Sequence, residues 1–286
     1  MSGLSLENIN DIDALSKMLK LTYSNDDWHP MITIADRLYE ESYEIYCRQE
    51  KQITTRLYPS ERPLIYYFGY SQLCKGVALQ KLGRYQESRE CIQRYRDLSW
   101  IKGVADKDKY IIEDFNIFSI GNLFTLDLME GREEVLPDYI KFLREHKGQL
   151  LAGMITVFEA AIKYDFSIDW VLDELASDLE QIRNHLDDPT IIRNYTECLY
   201  LFSLYEYKQK NYSNAIQKNL DALTVSYNIR DNTAFKKIVA LFESFRDYAS
   251  EEQGQNFKIH LKTILEGVLK DEKDFSFDVI HSGYHQ

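Results

Sequence analysis

The sequence predicts an all-α protein built as a stack of helical hairpins. Apolar residues recur at helical spacing along nearly the whole chain of 286 residues. The 12 glycines and 5 prolines are about half the number that average usage would give, so turns are few and the elements are long. This composition disfavours all-β sandwiches and nucleotide-binding α/β folds, which use glycine at turns and in phosphate loops.

About twelve helices follow from this spacing, joined by connections of roughly two to seven residues. Such short connections make sequential helices pack antiparallel, which gives helical hairpins. The predicted ranges are 6–22, 30–50, 63–82, 84–98, 107–130, 132–146, 149–164, 168–185, 189–209, 213–228, 232–249 and 255–270.

Two of these helices have clear starting signals. Ser167 precedes the helix at 168–185 as a suitable N-cap, and Asp169 in the first turn suits the helix dipole. The helix at 189–209 begins at Asp188-Pro189, a cap residue followed by proline at the first helical position. The helix at 168–185 also carries a single apolar stripe, which we expect to be buried, of Ile168, Val171, Leu172, Leu175, Leu179 and Ile182.

The segment 69–100 indicates that the hairpins are repeats. Gly76 is a small residue where two helices of a hairpin approach closely, Gly83 marks the turn, and Ser88 occupies the small contact position of the second helix. This pattern resembles a tetratricopeptide repeat. The implied fold is a right-handed superhelix of degenerate tetratricopeptide-like helical hairpins.

Weaker copies of the repeat occur further along the chain. In the copy at 205–222, Lys210 stands in place of the turn glycine. In another copy Gly131 keeps the turn, but Leu136 occupies the small position, so that hairpin must splay or repack. The predicted turn positions are 83, 131, 166 and 210, with irregular spacing.

Two longer segments narrow the resemblance. LIYYFGYSQLCKGVALQKLGRYQESRECIQRYRDLSW and GNLFTLDLMEGREEVLPDYIKFL resemble the C-terminal, sensor part of helix-turn-helix regulators in the Gram-positive peptide-pheromone receptor superfamily (RRNPP-type). The resemblance implies a non-enzymatic ligand-sensing module that binds a short peptide in a concave groove and controls a transcriptional or signalling response. The DNA-binding helix-turn-helix with which such regulators usually begin is not recognisable here.

The net charge and the cysteine spacing indicate in which compartment the protein lies and which classes of partner it does not bind. The formal net charge of −12 would repel a phosphate backbone, and no basic stripe is visible, so we expect no direct nucleic-acid binding by this chain. The four cysteines are spread without a CxxC pair, which fits a reducing cytoplasm. Neither a signal peptide nor a membrane span is apparent, so no membrane partner is expected.

Motifs for catalysis and cofactors are missing from the sequence. The six histidines are scattered without HExxH or zinc-type spacing. The run Asp106-Lys107-Asp108 begins like a calcium loop, but Tyr110 and Ile111 stand where a ligand and the turn glycine should be. No phosphate loop, nucleophile elbow or kinase signature occurs. We therefore expect no enzyme activity, no cofactor and no metal.

The expected peptide site lies on the first helix of each hairpin, because those helices line the concave surface of a solenoid. Families of this type use asparagine amides there to clamp the ligand backbone, so the resemblance makes Asn194 the leading candidate. A peptide crossing the stack would then meet Asn194, Thr125 and Tyr70 in turn. The candidate groove residues are Asn194, Glu197, Tyr200, Tyr207, Thr125, Tyr70 and Gln80.

One alternative remains open at this stage. The same fold could serve as a tetratricopeptide-type scaffold for a protein partner or for self-assembly, and a second copy of the chain is a candidate partner. We expect a single helical-repeat domain over 1–270 and a loosely ordered tail over 271–286, where the helical periodicity ends.

Overall fold

The computed structural model describes residues 9–51, 59–228 and 232–271, and the regular structure in these ranges is entirely helical. This confirms the all-α prediction. Within these ranges, no helix is long and apolar enough to cross a membrane. The twelve helices are α1 (Ile12–Ser24), α2 (Trp28–Glu50), α3 (Leu64–Lys81), α4 (Tyr85–Arg96), α5 (Tyr110–Met129), α6 (Leu136–Glu145), α7 (Leu150–Tyr164), α8 (Asp169–Arg183), α9 (Pro189–Lys208), α10 (Tyr212–Asn228), α11 (Asn232–Ser244) and α12 (Glu251–Asp271).

Each of these helices corresponds to a predicted one, with small shifts at the ends. The first begins at Ile12 rather than at residue 6, because the Asp11 carboxylate caps it and accepts from the backbone N–H of Asp13 at 2.9 Å. The start at Asp188-Pro189 is confirmed, with the Asp188 carboxylate accepting from the Thr190 N–H at 2.7 Å.

The start of α8 differs slightly from the prediction. Ile168 occupies the N-cap position, so no side chain caps the helix there. Ser167 lies one residue earlier, and its hydroxyl accepts from the Asp169 N–H at 3.3 Å. The serine therefore helps to begin the helix from a neighbouring position.

The chain divides into two compact units, residues 1–139 and 140–286, and the division falls within α6. The prediction of a single domain over 1–270 remains a prediction. The predicted tail at 271–286 lies outside the described residues, apart from Asp271 at the end of α12.

In the first unit, successive helices from α1 to α5 pack against one another, and α3 also contacts both α1 and α5. Phe68 of α3 and Phe115 of α5 are almost fully buried in the core of this unit. An ion-pair network joins α4 to the end of α5, where Arg89 contacts Asp127 at 2.6 Å and Glu130 at 2.7 Å. Burial would raise the pKa of the Glu130 carboxyl, but its hydrogen bonds from Arg132 and Arg89 hold that pKa below its usual range.

In the second unit, α9 is the central helix and contacts α7, α10 and α11, while α12 packs on α10. Phe158 of α7 stacks on Phe202 of α9 with ring centroids 5.2 Å apart. At the other end of the unit, Phe242 of α11 stacks on Phe257 of α12 at 3.7 Å. These stacked rings pack beside buried aliphatic side chains such as Val157 and Ile238.

Four helix–helix turns share one backbone geometry. In each, a residue with positive φ follows the helix, and the next N–H bonds to a carbonyl five residues earlier, as in the Schellman motif. The residues with positive φ are Asp26, Gly83, Gly131 and Lys210. The four hydrogen bonds are Asp27 to Thr22, Arg84 to Leu79, Arg132 to Asp127 and Asn211 to Glu206, at 2.8 to 3.0 Å. The predicted turns at 83, 131 and 210 are confirmed. At the fourth predicted turn, the residue with positive φ is Asp165 rather than residue 166, and the turn at Asp26 was not predicted.

The hairpins α3–α4 and α9–α10 also match in side-chain register. In α3–α4, Gly76 lies seven residues before the turn residue Gly83, and Ser88 lies five residues after it. In α9–α10, Ser203 and Ala215 lie at the same two distances from the turn residue Lys210. The Ser88 hydroxyl donates to the Gly76 carbonyl at 2.8 Å, and the Ser203 hydroxyl donates to the Ala215 carbonyl at 2.7 Å. The same small-residue contact is therefore made in both hairpins, with the hydroxyl on opposite helices.

Candidate functional site

A groove of about 470 Å³ lies in the second unit, over α9 and between α8 and α10. Its base is formed by α9, where Tyr195, Cys198, Leu199 and Glu206 are buried and Phe202 is half-buried. The walls are more exposed. They consist of Asp169, Leu172, Asp173, Ala176, Leu179, Glu180 and Arg183 of α8, and of Asn214, Lys218 and Asp221 of α10.

The groove exists because α8 buries only part of its apolar stripe. Val171 and Leu175 are fully buried, whereas Leu172 and Leu179 remain half-exposed and face the groove. When only part of a helix's apolar stripe is buried, the remaining apolar side chains can line a cleft.

The N-terminal end of α8 is fixed to α9 by a buried tyrosine. The Tyr205 hydroxyl accepts from the Ile168 N–H at 3.1 Å and donates to the Asp169 carboxylate at 2.8 Å. Two ion pairs hold the outer face of α8, from Lys147 to Asp178 at 2.5 Å and from Arg144 to Glu174 at 2.7 Å. The ion pairs thus anchor the wall at positions that do not line the groove, whereas Asp169 both anchors the wall and lines the groove.

Polar groups at one end of the groove are already arranged around a buried carboxylate. Glu206 is only 7% exposed, and its two oxygens accept from the side-chain amides of Asn211 at 2.9 Å and Asn214 at 2.6 Å. Because both oxygens are satisfied, this carboxylate tolerates burial without a cationic partner.

The base of the groove carries no activated nucleophile. Burial raises the pKa of the Cys198 thiol to about 12, and burial likewise raises the pKa of the Tyr195 phenol to about 12. Both groups are therefore neutral near pH 7, and a neutral thiol is a poor nucleophile. Among the described residues, no group of three or more histidine, cysteine or acidic side chains could hold a metal ion. The groove is equipped for binding by shape, apolar contact and charge.

The candidate residues that sequence placed on α9 lie on another side of that helix. At about 100° per residue, the groove takes the face of Tyr195, Leu199 and Phe202. Glu197, Tyr200 and Tyr207 point largely the opposite way, whereas Asn194 lies at the flank, about 100° from Tyr195. Several of them are engaged with neighbouring helices. The Lys237 ammonium of α11 lies 3.5 Å from the Glu197 carboxylate and 5.8 Å from the centroid of the Tyr200 ring.

Tyr207 and Asn194 complete that predicted face. Tyr207 is half-buried, with its ring centroid 5.6 Å from that of Tyr212 and 5.5 Å from that of Phe245. Asn194 is half-exposed, and its amide makes no hydrogen bond within the described part of the chain. The clamp assigned to Asn194 therefore remains a prediction.

The other three candidates belong to the first unit. Thr125 is buried, and its hydroxyl lies 3.3 Å from the Tyr139 hydroxyl. Tyr70 is half-buried and stacks on Tyr66 at 5.2 Å, and burial raises the pKa of its phenol. Gln80 is half-exposed near the end of α3.

Sequence reasoning missed the walls of the groove, which come from α8 and α10. A signal was present in α8, whose apolar stripe includes Leu172 and Leu179 as well as the fully buried Val171 and Leu175. That stripe was interpreted as buried throughout, whereas Leu172 and Leu179 are half-exposed.

Comparisons of the chain with protein-family models, with curated proteins and with solved structures found no significant match.

Proposed function

We propose that this chain is a non-enzymatic ligand-sensing module of a cytoplasmic transcriptional or signalling regulator, and that it binds a short peptide. The observation that carries the proposal is the groove over α9. Its volume of about 470 Å³ falls in the range of roughly 300–1,000 Å³ typical of ligand sites. An apolar base with polar walls is the arrangement such sites use.

The length of the groove suits an extended peptide. Its lining residues on α8 run from Asp169 to Arg183, which is about 21 Å at 1.5 Å per residue. An extended peptide advances about 3.3 Å per residue, so roughly six residues would fill the groove. Such a ligand needs partners for its backbone amides, and the Asn214 amide and the Arg183 guanidinium on the walls can supply them.

The repeat architecture supports the same proposal. Four turns with one backbone geometry and two hairpins with the same small-residue contact favour degenerate tetratricopeptide-like repeats. Solenoids of such repeats commonly bind extended peptides. Together with the resemblance to peptide-pheromone receptors, these features favour sensing of a peptide over catalysis.

We assign the peptide to the groove rather than to the predicted face of α9. On that face Glu197 and Tyr200 already contact Lys237, and Tyr207 packs on Phe245. In the groove, Leu172 and Leu179 retain exposed apolar surface, so a ligand gains free energy there by removing that surface from water.

A bulky side chain in the groove tests this assignment. Ala176 is exposed and lines the groove, whereas Ser177 is exposed on the same helix but does not line it. We expect Ala176→Trp to weaken peptide binding at least about tenfold by occupying the cleft, and Ser177→Trp to leave it unchanged. Binding is measured by fluorescence anisotropy with pools of labelled, acetylated and amidated hexapeptides. Thermal melts should show that both variants remain folded.

Two results would contradict the proposal. Equal affinity of Ala176→Trp and Ser177→Trp would remove the groove as the binding site. Absence of peptide binding in all pools, together with concentration-dependent self-association in sedimentation experiments, would favour the scaffold function instead.

A further inference from the structure

The groove has an uneven distribution of charge. Carboxylates outnumber cationic groups among its lining residues. The five acidic residues are Asp169, Asp173, Glu180, Glu206 and Asp221, and the two basic residues are Arg183 and Lys218. A ligand that enters the groove therefore meets an excess of negative charge around an apolar base.

Both cationic side chains already have local partners. The Lys218 ammonium lies 4.8 Å from the centroid of the Phe202 ring, which is a cation–π contact. The Arg183 guanidinium lies 3.7 Å from the Glu180 carboxylate. Neither cation reaches the carboxylates of Asp169 and Asp173, since no such ion pair occurs among the described residues.

The acidic end of the groove lies where α8 begins. Asp169 is joined to Tyr205, the residue before Glu206, so these carboxylates share one end. One oxygen of Asp169 accepts from the Tyr205 hydroxyl, and both oxygens of Glu206 accept from asparagine amides. Asp173 lies one turn beyond Asp169, on the same side of α8. Within the described residues, its carboxylate accepts no hydrogen bond and pairs with no cation.

We propose that the peptide bound in this groove carries an arginine or lysine side chain that pairs with Asp173 and Asp169, beside an apolar side chain that packs on Leu172 and Phe202. This inference rests on the proposed function and specifies the ligand class of the same site. A guanidinium fits best, because its five donors in one plane can serve two carboxylates a helical turn apart.

Charge complementarity fixes this choice of ligand. An acidic or uncharged peptide would cover Asp173 without giving its carboxylate a partner, and covering an unpaired charge is unfavourable. A peptide with a cationic side chain instead forms a charge-assisted hydrogen bond with the exposed Asp173 carboxylate.

The test uses acetylated and amidated hexapeptide pools, so that the only charges are those of side chains. Each pool has arginine, lysine, glutamine or glutamate fixed at one position. We expect the arginine and lysine pools to bind about tenfold more tightly than the glutamine pool, with the difference shrinking at high salt. The Asp173→Asn variant should abolish this preference. The matched control, Asp187→Asn, changes an exposed acidic residue that does not line the groove and has no ion pair among the described residues, and it should retain the preference.

The outcomes separate this inference from the proposed function. If all pools bind equally to the unmodified protein and Ala176→Trp abolishes that binding, the proposed peptide-binding function stands. The inference that the peptide carries a cationic side chain is then overturned. A preference that survives in Asp173→Asn also overturns the assignment to Asp173. If no pool binds at any composition, the proposed function fails together with the inference.

Discussion

The four free cysteines differ in burial, and this difference predicts their reactivity. Cys74, Cys91 and Cys198 are buried, whereas Cys47 is half-exposed. Burial raises the pKa of the Cys74 thiol to about 12 and that of Cys91 to about 11, as it does for Cys198 in the base of the groove. At pH 8 only about one in a thousand or fewer of these thiols would be ionised.

We expect one fast thiol in the native protein when it is titrated with Ellman's reagent at pH 8, and four after unfolding in guanidinium chloride. The fast phase should disappear in Cys47→Ser. Rapid reaction of three or four thiols in the native protein would show that the helices holding Cys74, Cys91 and Cys198 open readily, which contradicts the packing described here.

At the scale of single residues, sequence was informative where local chemistry decides the outcome. Asp188 caps α9 because an aspartate before a proline suits a helix start, whatever the tertiary context. Thr125 was placed in the groove from its repeat position, yet it is buried beside Tyr139. Its environment depends on how α5 and α6 pack, which local spacing does not determine.

Helix–helix turns carry the clearest regularity at the scale of elements. Gly83 and Lys210 occupy the same position in equivalent turns, with φ of 74° and 64°. A side chain in this left-handed conformation costs about 1 kcal/mol or more, and glycine avoids that cost. Lys210 is exposed, and no atom lies within 4 Å of a Cβ placed on Gly83, so only the backbone conformation should matter.

We therefore expect reciprocal effects on the free energy of unfolding. Lys210→Gly should raise it by about 1 kcal/mol, and Gly83→Lys should lower it by a similar amount. The control is Lys236→Gly in α11, the same substitution at an exposed helical position, which should lower stability by about 1 kcal/mol. Urea unfolding curves measure all three. A loss of stability in Lys210→Gly would show that the two turns are not equivalent.

Elements were largely predictable because helical spacing is a local property. All twelve helices were placed from the spacing of apolar residues and the few turn residues. The turn at Asp26 was missed because it has no glycine and, unlike the turn at Lys210, lies in no recognised copy of the repeat, although its backbone matches that of Gly83. Both glycine and other residues can take the left-handed position of a Schellman motif, so the amino-acid sequence alone does not reveal every such turn.

At the scale of the whole molecule, the position of the groove was harder to predict than the helices. The repeat resemblance assigned the face of Tyr200 and Tyr207, with Asn194 at its edge, whereas the groove lies on the face of Leu199 and Phe202. Which face stays open depends on the distance between α8 and α9, and that distance follows from the combined packing of several helices. A pattern within one helix does not contain that information.

The central claim is that a peptide occupies the groove between α8 and α10. The most direct measurement is photo-cross-linking with the tightest-binding hexapeptide, in which one apolar residue is replaced by benzoylphenylalanine, followed by mass-spectrometric mapping of the attachment sites. We predict attachment to groove residues such as Leu172, Ala176 or Lys218, with loss of cross-linking in Ala176→Trp. Attachment instead to Tyr200 or Tyr207 would contradict the claim and return the peptide to the opposite face of α9.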